Sequence, residues 1–387
     1  MHVLVIPAWY DISNLISGIF FHEYCNALSK QVKVTVLNFK SHSFSDRFKK
    51  TVCEDKVSDR KYKLVNVDFY NPLPGLSAGT LKKKMKNLAV KKVKENLIEK
   101  VDIVHIQSVC NNVTPFISEA ISNELKVPYV LTEHYTSFKE AGETIFAPYT
   151  SLLEVTKIVK NSAKRFGVSN YACSYFKNYF DCDFETVYNM IPDEFVKVVA
   201  SKSTTGKFRF ICIGNLQSRK GQAVLIEAFN KISNEILNAE LVFVGDGNDK
   251  GKLEQMVNSF GLESRVKFVG NISKTEIIKQ IDESDVVVSV SEKETFGLTI
   301  AEALLRGKPV ISTKSGGPQE LINKTNGLLT EIGDVDGLAQ SLKKMHSDYS
   351  IYSASVIRTA AINKYSESTI IPLMVNQYQS VIKAASN

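Results

Sequence analysis

The sequence has few cysteines and histidines, and neither residue type is grouped as a metal site requires. Six cysteines and six histidines are scattered over 387 residues. No two cysteines form a Cys-x-x-Cys pair, and no two histidines stand four residues apart as they would on a zinc-binding helix. We therefore expect reduced thiols, as in a cytoplasmic protein, and no bound metal.

Long apolar runs are also missing. No stretch approaches the eighteen or so apolar residues of a membrane span, and the first residues lack the basic leader and apolar core of a signal peptide. We expect a chain that is neither exported by a signal peptide nor threaded through a bilayer. Apolar residues make up 44% and charged residues 23%, which are ordinary globular values and suffice for two cores.

Strand and helix patterns alternate through both halves of the chain. The first half opens with a strand in "HVLVIP", a helix in "SGIFFHEYCNALSKQ" and a strand in "VKVTVLNF", and the second half restarts with "FRFICIGN". This alternation predicts mainly parallel sheets covered by helices on both faces. A short polar stretch at 198–207 is typical of a linker. We therefore expect an α/β protein with two tandem Rossmann-like, doubly wound domains, at 1–197 and 208–365.

Two glutamates flank a helix start in "SEKETFGLTIAEALLRGKPV". Glu294 lies in the turn after an apolar strand, and Glu302 lies one turn inside the next helix. We interpret them as two separate hydrogen-bond acceptors for the hydroxyls of one extended ligand, because an ionised carboxylate accepts hydrogen bonds strongly. A paired acid and base for hydrolysis, or two ordinary surface glutamates, remain alternatives.

The helix start between these glutamates is a candidate anion site. Backbone N–H groups of Phe296, Gly297 and Leu298 are placed where the positive end of the helix dipole would attract phosphate or sugar oxygens. A glycine at this point allows a ligand to approach the backbone closely.

The stretch "GNLQSRKG" places Gly214 and Asn215 after a strand, and Arg219 and Lys220 at a helix start. Cations oppose the helix dipole at such a position, which favours a bound diphosphate over simple solvation. Gly245 opens a further glycine-containing turn, "VGDG", which is a weak match to a nicotinamide-binding loop.

In the first half, Gly18 precedes the first helix and His134 follows the strand "PYVLT". Both are expected at the carboxyl edge of a parallel sheet, where ligands bind. His134 is either a hydrogen-bond donor of an active site or a structural histidine.

Seven lysines and no acid occupy residues 81–94, "LKKKMKNLAVKKVK". The apolar positions predict an amphipathic helix with a basic face. This face, Lys82 to Lys94, is either an ordinary solvated surface or a contact with anionic lipid, worth about 1 kcal/mol per lysine. Nucleic acid is disfavoured as a partner, because no aromatic or arginine-rich surface accompanies the lysines.

Taken together, the motifs resemble the retaining glycosyltransferases of family 4, which have the GT-B fold. The resemblance covers nearly the whole chain and is carried, in order, by Gly18, "DIVHIQ", "TEHYTSF", "VYNMIPDEF", "GNLQSRKG", "VGDG", "FVGN" and "ETFGLTIAEALLRGKPVISTKSGGPQELI". It implies two domains that face a cleft, with the acceptor at the first, the donor at the second, and a C-terminal helix, 366–387, that returns to the first domain.

The resemblance also implies roles for individual residues. Glu294 is similar to the acid that holds donor-sugar hydroxyls, and Glu302 to the one that binds the nucleotide ribose. Lys220 is similar to the lysine that binds the diphosphate. Asn215 stands where the family usually has arginine, and the neighbouring Arg219 is a candidate to replace that charge.

Two further roles fall in the first domain, where Gly18 is similar to the loop that closes over the diphosphate and His134 to the histidine near the reacting centre. The implied activity is transfer of a hexose, with retention and without metal, from a nucleoside diphosphate hexose to a glycan or lipid-linked acceptor. Cell-surface polysaccharide or glycolipid assembly at the inner face of the membrane is the implied setting. A sugar-nucleotide epimerase or hydrolase, or a non-catalytic nucleotide-sugar binding protein, remains an alternative.

Overall fold

The computed structural model describes residues 1–10, 18–48, 59–73, 75–97, 99–138, 145–197 and 206–386. The chain divides into two compact units, Met1–Val187 with Ile370–Asn387, and Tyr188–Thr369.

The first unit contains a seven-stranded parallel sheet in the order β3-β2-β1-β4-β5-β6-β7. Its strands are β1 (His2–Pro7), β2 (Lys33–His42), β3 (Lys63–Tyr70), β4 (Ile103–Gln107), β5 (Tyr129–Glu133), β6 (Lys164–Gly167) and β7 (Glu185–Thr186). The helices that precede the linker are α1 (Ile19–Leu28), α2 (Ala78–Asn96), α3 (Thr114–Leu125), α4 (Leu152–Asn161) and α5 (Asn170–Phe180). Every residue of β1, β4 and β5 is buried, as expected of central parallel strands covered on both faces.

The second unit contains a six-stranded parallel sheet in the order β10-β9-β8-β11-β12-β13. Its strands are β8 (Phe208–Ile213), β9 (Ala239–Val244), β10 (Val266–Gly270), β11 (Val286–Ser289), β12 (Val310–Thr313) and β13 (Gly327–Thr330). Its helices are α6 (Gln222–Ile232), α7 (Lys250–Ser259), α8 (Lys274–Asp282), α9 (Leu298–Leu305), α10 (Pro318–Leu321), α11 (Val335–Ser347) and α12 (Ala354–Tyr365), and α13 (Glu367–Ser386) follows.

Strand order reverses direction once in each sheet, between β1 and β4 in the first unit and between β8 and β11 in the second. Crossover helices run to opposite faces on the two sides of such a switch point and leave a crevice outside the carboxyl ends of the strands. The loops that follow these four strands are therefore the places to search for a ligand site.

The division of the chain lies about ten residues before the predicted boundary. Residues 188–197 belong to the second unit, where Arg306 Nη1 donates to the carbonyl oxygens of Phe195, at 3.1 Å, and Lys197. Arg306 is itself buried and forms a paired interaction with Asp282. Most of the predicted linker, 198–205, lies outside the described residues.

Near the end of the sequence, Ile371, Met374, Tyr378 and Ile382 stand at helical spacing and predict an amphipathic helix. Helix α13 confirms this prediction with one difference. Ile371, Met374 and Tyr378 are buried, but Val381 is buried in the position expected for Ile382, which is only half-buried. The stretch "FETVYNM", whose residue types predict a strand, contains only the two residues of β7.

Candidate active site

The switch point of the second sheet brings together a lysine and a glutamate that are 74 residues apart in sequence. Lys220, in the loop after β8, donates from Nζ to Oε1 of Glu294, in the loop after β11. The Ser291 hydroxyl donates to the same carboxylate oxygen at 2.8 Å. Both charged side chains are about one-fifth exposed, so they can reach solvent or a ligand.

The backbone around Glu294 ties the loop after β11 to the loop after β12. Glu294 N donates to Ser315 O at 2.8 Å, and Gly317 N donates to Glu294 O at 2.9 Å. A Cβ on Gly317 would lie 2.5 Å from Thr295 O, so a glycine is needed for the two loops to approach. The carboxylate is therefore held on a backbone fixed from both sides.

Other glycines at this edge serve close packing of the loops. Gly221, at the start of α6, has φ +70°, and a Cβ there would lie 2.1 Å from Val290 O at the end of β11. A Cβ on Gly245 would lie 2.2 Å from Gly214 O. Gly214 itself has open space around such a Cβ. The loops after β8, β9 and β11 thus converge only because Gly221 and Gly245 lack side chains.

The start of α9 lies directly after this cluster. Gly297 adopts φ +102° and begins the helix, so the amides of Gly297 and Leu298 lie at the positive end of its dipole. Phe296 is buried, with its ring near those of Tyr188 (6.0 Å) and Tyr365 (5.7 Å), so a role for its backbone amide in ligand binding remains a prediction.

Glu302 lies in the second turn of α9 and is half-buried. The sequence predicted this separation, one glutamate in the loop and one inside the helix.

Asn215 and Arg219 are exposed, unlike Lys220. The carbonyl oxygen of Asn215 accepts from Gln222 Nε2 at 2.9 Å, and that of Arg219 accepts from Glu292 N at 2.9 Å. Their backbones are therefore fixed while both side chains lie at the surface. Arg219 stays outside the Lys220 ion pair, so a role for it at the diphosphate remains a prediction.

In the first unit, Gly18 and His134 are joined through helix α1. Gly18 has φ +80° and starts the helix, and a Cβ there would lie 2.9 Å from Trp9 O. Phe20 and Phe21, in the first turn of this helix, place their rings edge-on to the His134 ring, with centroids 4.7 and 5.6 Å away. The two predicted residues of this unit thus belong to one local structure at the carboxyl edge of its sheet.

Glu133, the residue before His134, was not among the site residues predicted from the sequence. Its side chain is fully buried, and the carboxylate accepts from the Ser108 hydroxyl (2.5 Å) and from the amides of Val109 (2.8 Å), His134 (2.8 Å) and Tyr135 (2.9 Å). Burial raises the pKa of Glu133, and these hydrogen bonds act against that rise. An acid at the end of an otherwise apolar strand was the available signal.

The lysine-rich helix α2 is less uniformly basic than its sequence suggests. Four of its lysines pair with acids, and these pairs are Lys82–Glu154, Lys91–Glu95, Lys92–Glu95 and Lys94–Glu124. Lys83 and Lys84 are exposed, and neither forms an ion pair within the part of the chain that the structure describes. Basic character is therefore concentrated near the start of the helix.

Among the residues that the structure describes, no helix is long and apolar enough to cross a membrane. The histidine, cysteine, aspartate and glutamate side chains of these residues form no group of three or more that could hold a metal ion.

Comparison with known proteins identifies relatives of this arrangement. Residues 196–363 match the family described as "Glycosyl transferases group 1". The chain is 28% identical over 306 residues to an uncharacterized glycosyltransferase of Methanocaldococcus jannaschii, covering 73% of this chain and 76% of that one. It is 33% identical over 140 residues to a lipopolysaccharide core biosynthesis glycosyltransferase, LpsE, of Rhizobium meliloti, covering 36% and 39%.

A solved structure extends the similarity of fold to the full chain. The crystal structure of Anabaena HepE in complex with UDP superposes with a TM-score of 0.73 at 19% identity, covering 98% of this chain and 100% of that one. At this identity the similarity shows the fold, which is GT-B. The matched domain and these relatives support a glycosyltransferase of the GT-B type.

Proposed function

We propose that the protein is a retaining glycosyltransferase of family 4, which moves a hexosyl unit from a nucleoside diphosphate sugar to a glycan or lipid-linked acceptor. The observation that carries the proposal is the Lys220–Glu294 pair at the switch point of the second sheet, beside the amides that start α9. A cation, a carboxylate and a helix start are the three groups needed to hold a phosphate next to a sugar.

In this mechanism the ligand-free ion pair exchanges partners when the donor binds. Lys220 turns from Glu294 to the diphosphate, with Arg219 and the amides of Gly297 and Leu298 beside it. Glu294 then accepts hydrogen bonds from hexose hydroxyls, and Glu302 accepts them from the ribose. Because Ser291 donates to Glu294, the carboxylate stays oriented after Lys220 leaves it.

Transfer proceeds by attack on the face that the leaving group vacates. The bond between the anomeric carbon and the phosphate oxygen breaks, and the phosphate oxygen takes the proton of the acceptor hydroxyl as the new glycosidic bond forms. Negative charge that develops on the diphosphate is stabilised by Lys220 and the helix amides, which are already oriented. In this scheme His134 lies near the reacting centre and forms a hydrogen bond with the donor or the acceptor.

The acceptor and the cellular setting rest on two further observations. LpsE, a relative over 140 residues, is a lipopolysaccharide core biosynthesis glycosyltransferase, which supports a glycan or glycolipid acceptor. The exposed Lys83 and Lys84 favour contact of the first unit with an anionic membrane surface from the cytoplasmic side.

The proposal is tested by incubating the protein with a panel of nucleoside diphosphate hexoses chosen by thermal shift, with and without acceptor glycans and glycolipids. A ligand at a hundred times its Kd should stabilise the fold by about 2.7 kcal/mol. We expect release of nucleoside diphosphate to depend on acceptor, and proton NMR of the product to show the anomeric configuration of the donor.

Other outcomes separate the alternatives. Full-speed hydrolysis or epimerisation without acceptor would contradict transfer. Tight binding without turnover by any acceptor would indicate a non-catalytic binding protein. An inverted product would overturn the retaining mechanism while leaving glycosyl transfer intact.

A further inference from the structure

A buried group of polar side chains lies next to the His134 ring. Gln107, the last residue of β4, is 2% exposed, and its side-chain Oε1 lies 2.8 Å from His134 Nε2. Two residues earlier, His105 is fully buried, with its Nδ1 2.5 Å from the Tyr378 hydroxyl and its Nε2 2.8 Å from the Thr132 hydroxyl. Both nitrogens of His105 are therefore already bonded, and Gln107 stands between the two rings.

The position of the Gln107 amide nitrogen sets which end of the amide faces His134. This nitrogen lies 3.4 and 3.3 Å from the two ring nitrogens of His105, so it rests over the ring and away from its lone pairs. Burial lowers the pKa of His105 to about 3, so this ring is neutral at physiological pH. An N–H group is favourable over the face of a neutral aromatic ring. The amide oxygen is then left to face His134.

An amide oxygen only accepts hydrogen bonds, so His134 must donate from Nε2–H. In neutral imidazole the other nitrogen, Nδ1, then carries the lone pair. The rest of His134 is fixed as well, since Glu133 accepts from its backbone amide and Phe20 and Phe21 contact its ring. A group hydrogen-bonded to one imidazole nitrogen decides what the other nitrogen can do.

We propose that Gln107 is a positioning residue, which holds His134 as the Nε2–H tautomer in one ring orientation. The consequence for catalysis rests on the proposed function, because it matters only if His134 acts on the donor or acceptor. The tautomer assignment does not rest on the proposed function, because it concerns the ligand-free protein. Gln107 ends "DIVHIQ", one of the motifs that carry the family resemblance, but it was not among the predicted site residues.

The test is nitrogen NMR of the full-length protein labelled with ¹⁵N-histidine. A His134→Asn spectrum identifies the His134 signals among those of the six histidines. At a pH above its titration, wild-type His134 should carry its proton on Nε2. Gln107→Met keeps the side-chain length but removes the acceptor, so both tautomers should appear. Gln107→Glu keeps the acceptor and adds a charge, so the pKa of His134 should rise by about 1–3 units.

Thr132→Val is the matched control. It removes a buried hydrogen bond from His105 without touching His134, so the His134 signals should stay as in the wild type. A proton on Nδ1 of wild-type His134, or a His134 spectrum and pKa unaltered by either Gln107 substitution, would overturn the proposal. If Gln107→Met does not fold, the titration of Gln107→Glu decides.

Once a donor is identified, kinetics add a second readout. Gln107→Met should lower kcat by about tenfold or more with little change in the donor KM, whereas Thr132→Val should not. Gln107→Glu should shift the limb of the pH profile that reports His134 upward. Absence of any turnover in the wild type would defeat the proposed function and leave the tautomer assignment standing.

Discussion

The two sheets share a strand order over six strands, yet their switch points carry different chemistry. In the second unit, charged side chains meet at the surface, with Lys220 and Glu294 each about one-fifth exposed. In the first unit, the polar groups behind His134 are buried, and His105 and Glu133 are fully so. Exposed charge can bind a charged ligand directly, whereas a buried polar group is suited to orienting a neighbour. The same topology therefore presents exposed charged side chains in one unit and buried polar side chains in the other.

The largest effect is expected at the cation of the second unit. Lys220→Ala should lower kcat by roughly 10²- to 10³-fold in a transfer assay, because it removes a preorganised donor to the leaving diphosphate. Lys231→Ala is the control, since this lysine forms an exposed ion pair with Asp336 in the same unit. Retention of more than a tenth of wild-type kcat in Lys220→Ala would remove the basis for assigning phosphate chemistry to this unit.

The next effect should separate the two glutamates of the second unit. Glu302→Gln should raise the donor KM by about 10- to 100-fold, the range of a hydrogen bond to a charged group, with kcat changed only a few-fold. Glu294→Gln should lower kcat as well, because the proposed mechanism places Glu294 against the transferred sugar. Steady-state kinetics with varied donor measure both, and a loss of kcat confined to Glu302→Gln would reverse the assignment.

A smaller effect is expected on lipid binding by the first unit. Replacing both Lys83 and Lys84 by serine should weaken binding to anionic vesicles at low salt by about 2 kcal/mol, at about 1 kcal/mol per lysine. The control removes the same charge from the second unit, at Lys231 and Lys343, which are exposed and ion-paired. In vesicle co-sedimentation, only the substitutions at Lys83 and Lys84 should reduce binding. An equal reduction by the control substitutions would indicate an effect of net charge only.

The smallest effect is a pH dependence of stability in the first unit. His105 has a folded pKa of about 3, below its usual 6.5, so the unfolded chain takes up the proton first as pH falls. The contribution of neutral His105 to the free energy of unfolding is fully present above pH 6.5. It is lost as pH falls towards 3, at about 1.4 kcal/mol per pH unit. Relative to His105→Gln, wild-type stability in urea should therefore decline between pH 6.5 and 5. If the difference in free energy of unfolding between wild type and His105→Gln stayed constant from pH 6.5 to 5, the His105 ring would not be held neutral.

More features of the second unit than of the first could be predicted from the sequence. Its helix start at Gly297 follows an apolar strand within a few residues, so the motif, the turn and the helix were all local signals. The Lys220–Glu294 ion pair was not predictable by this means, because its partners meet only when β8 and β11 become neighbours in the sheet. Gly245 and Gly221 showed the same limit, since the backbone that each approaches lies on another loop.

Fewer features of the first unit could be predicted from the sequence. Gln107 and Glu133 are the last residues of β4 and β5, and their position marks them as candidates without indicating that their side chains are buried. The lysine segment was predicted correctly as an amphipathic helix, but Glu124 and Glu154, which neutralise two of its lysines, lie on other helices. Local periodicity reports the face of a helix, and side-chain partners from distant segments decide its charge.

The most direct test of the division between the units is calorimetric titration of the best nucleoside diphosphate hexose into three proteins. These are the wild type, Lys220→Ala from the second unit and His134→Asn from the first. The account predicts that the Lys220 substitution weakens donor binding at least about tenfold, as expected for a lost charge-assisted hydrogen bond. It predicts a change of less than about threefold for His134→Asn. Equal weakening by both substitutions, or none by Lys220→Ala, would contradict it.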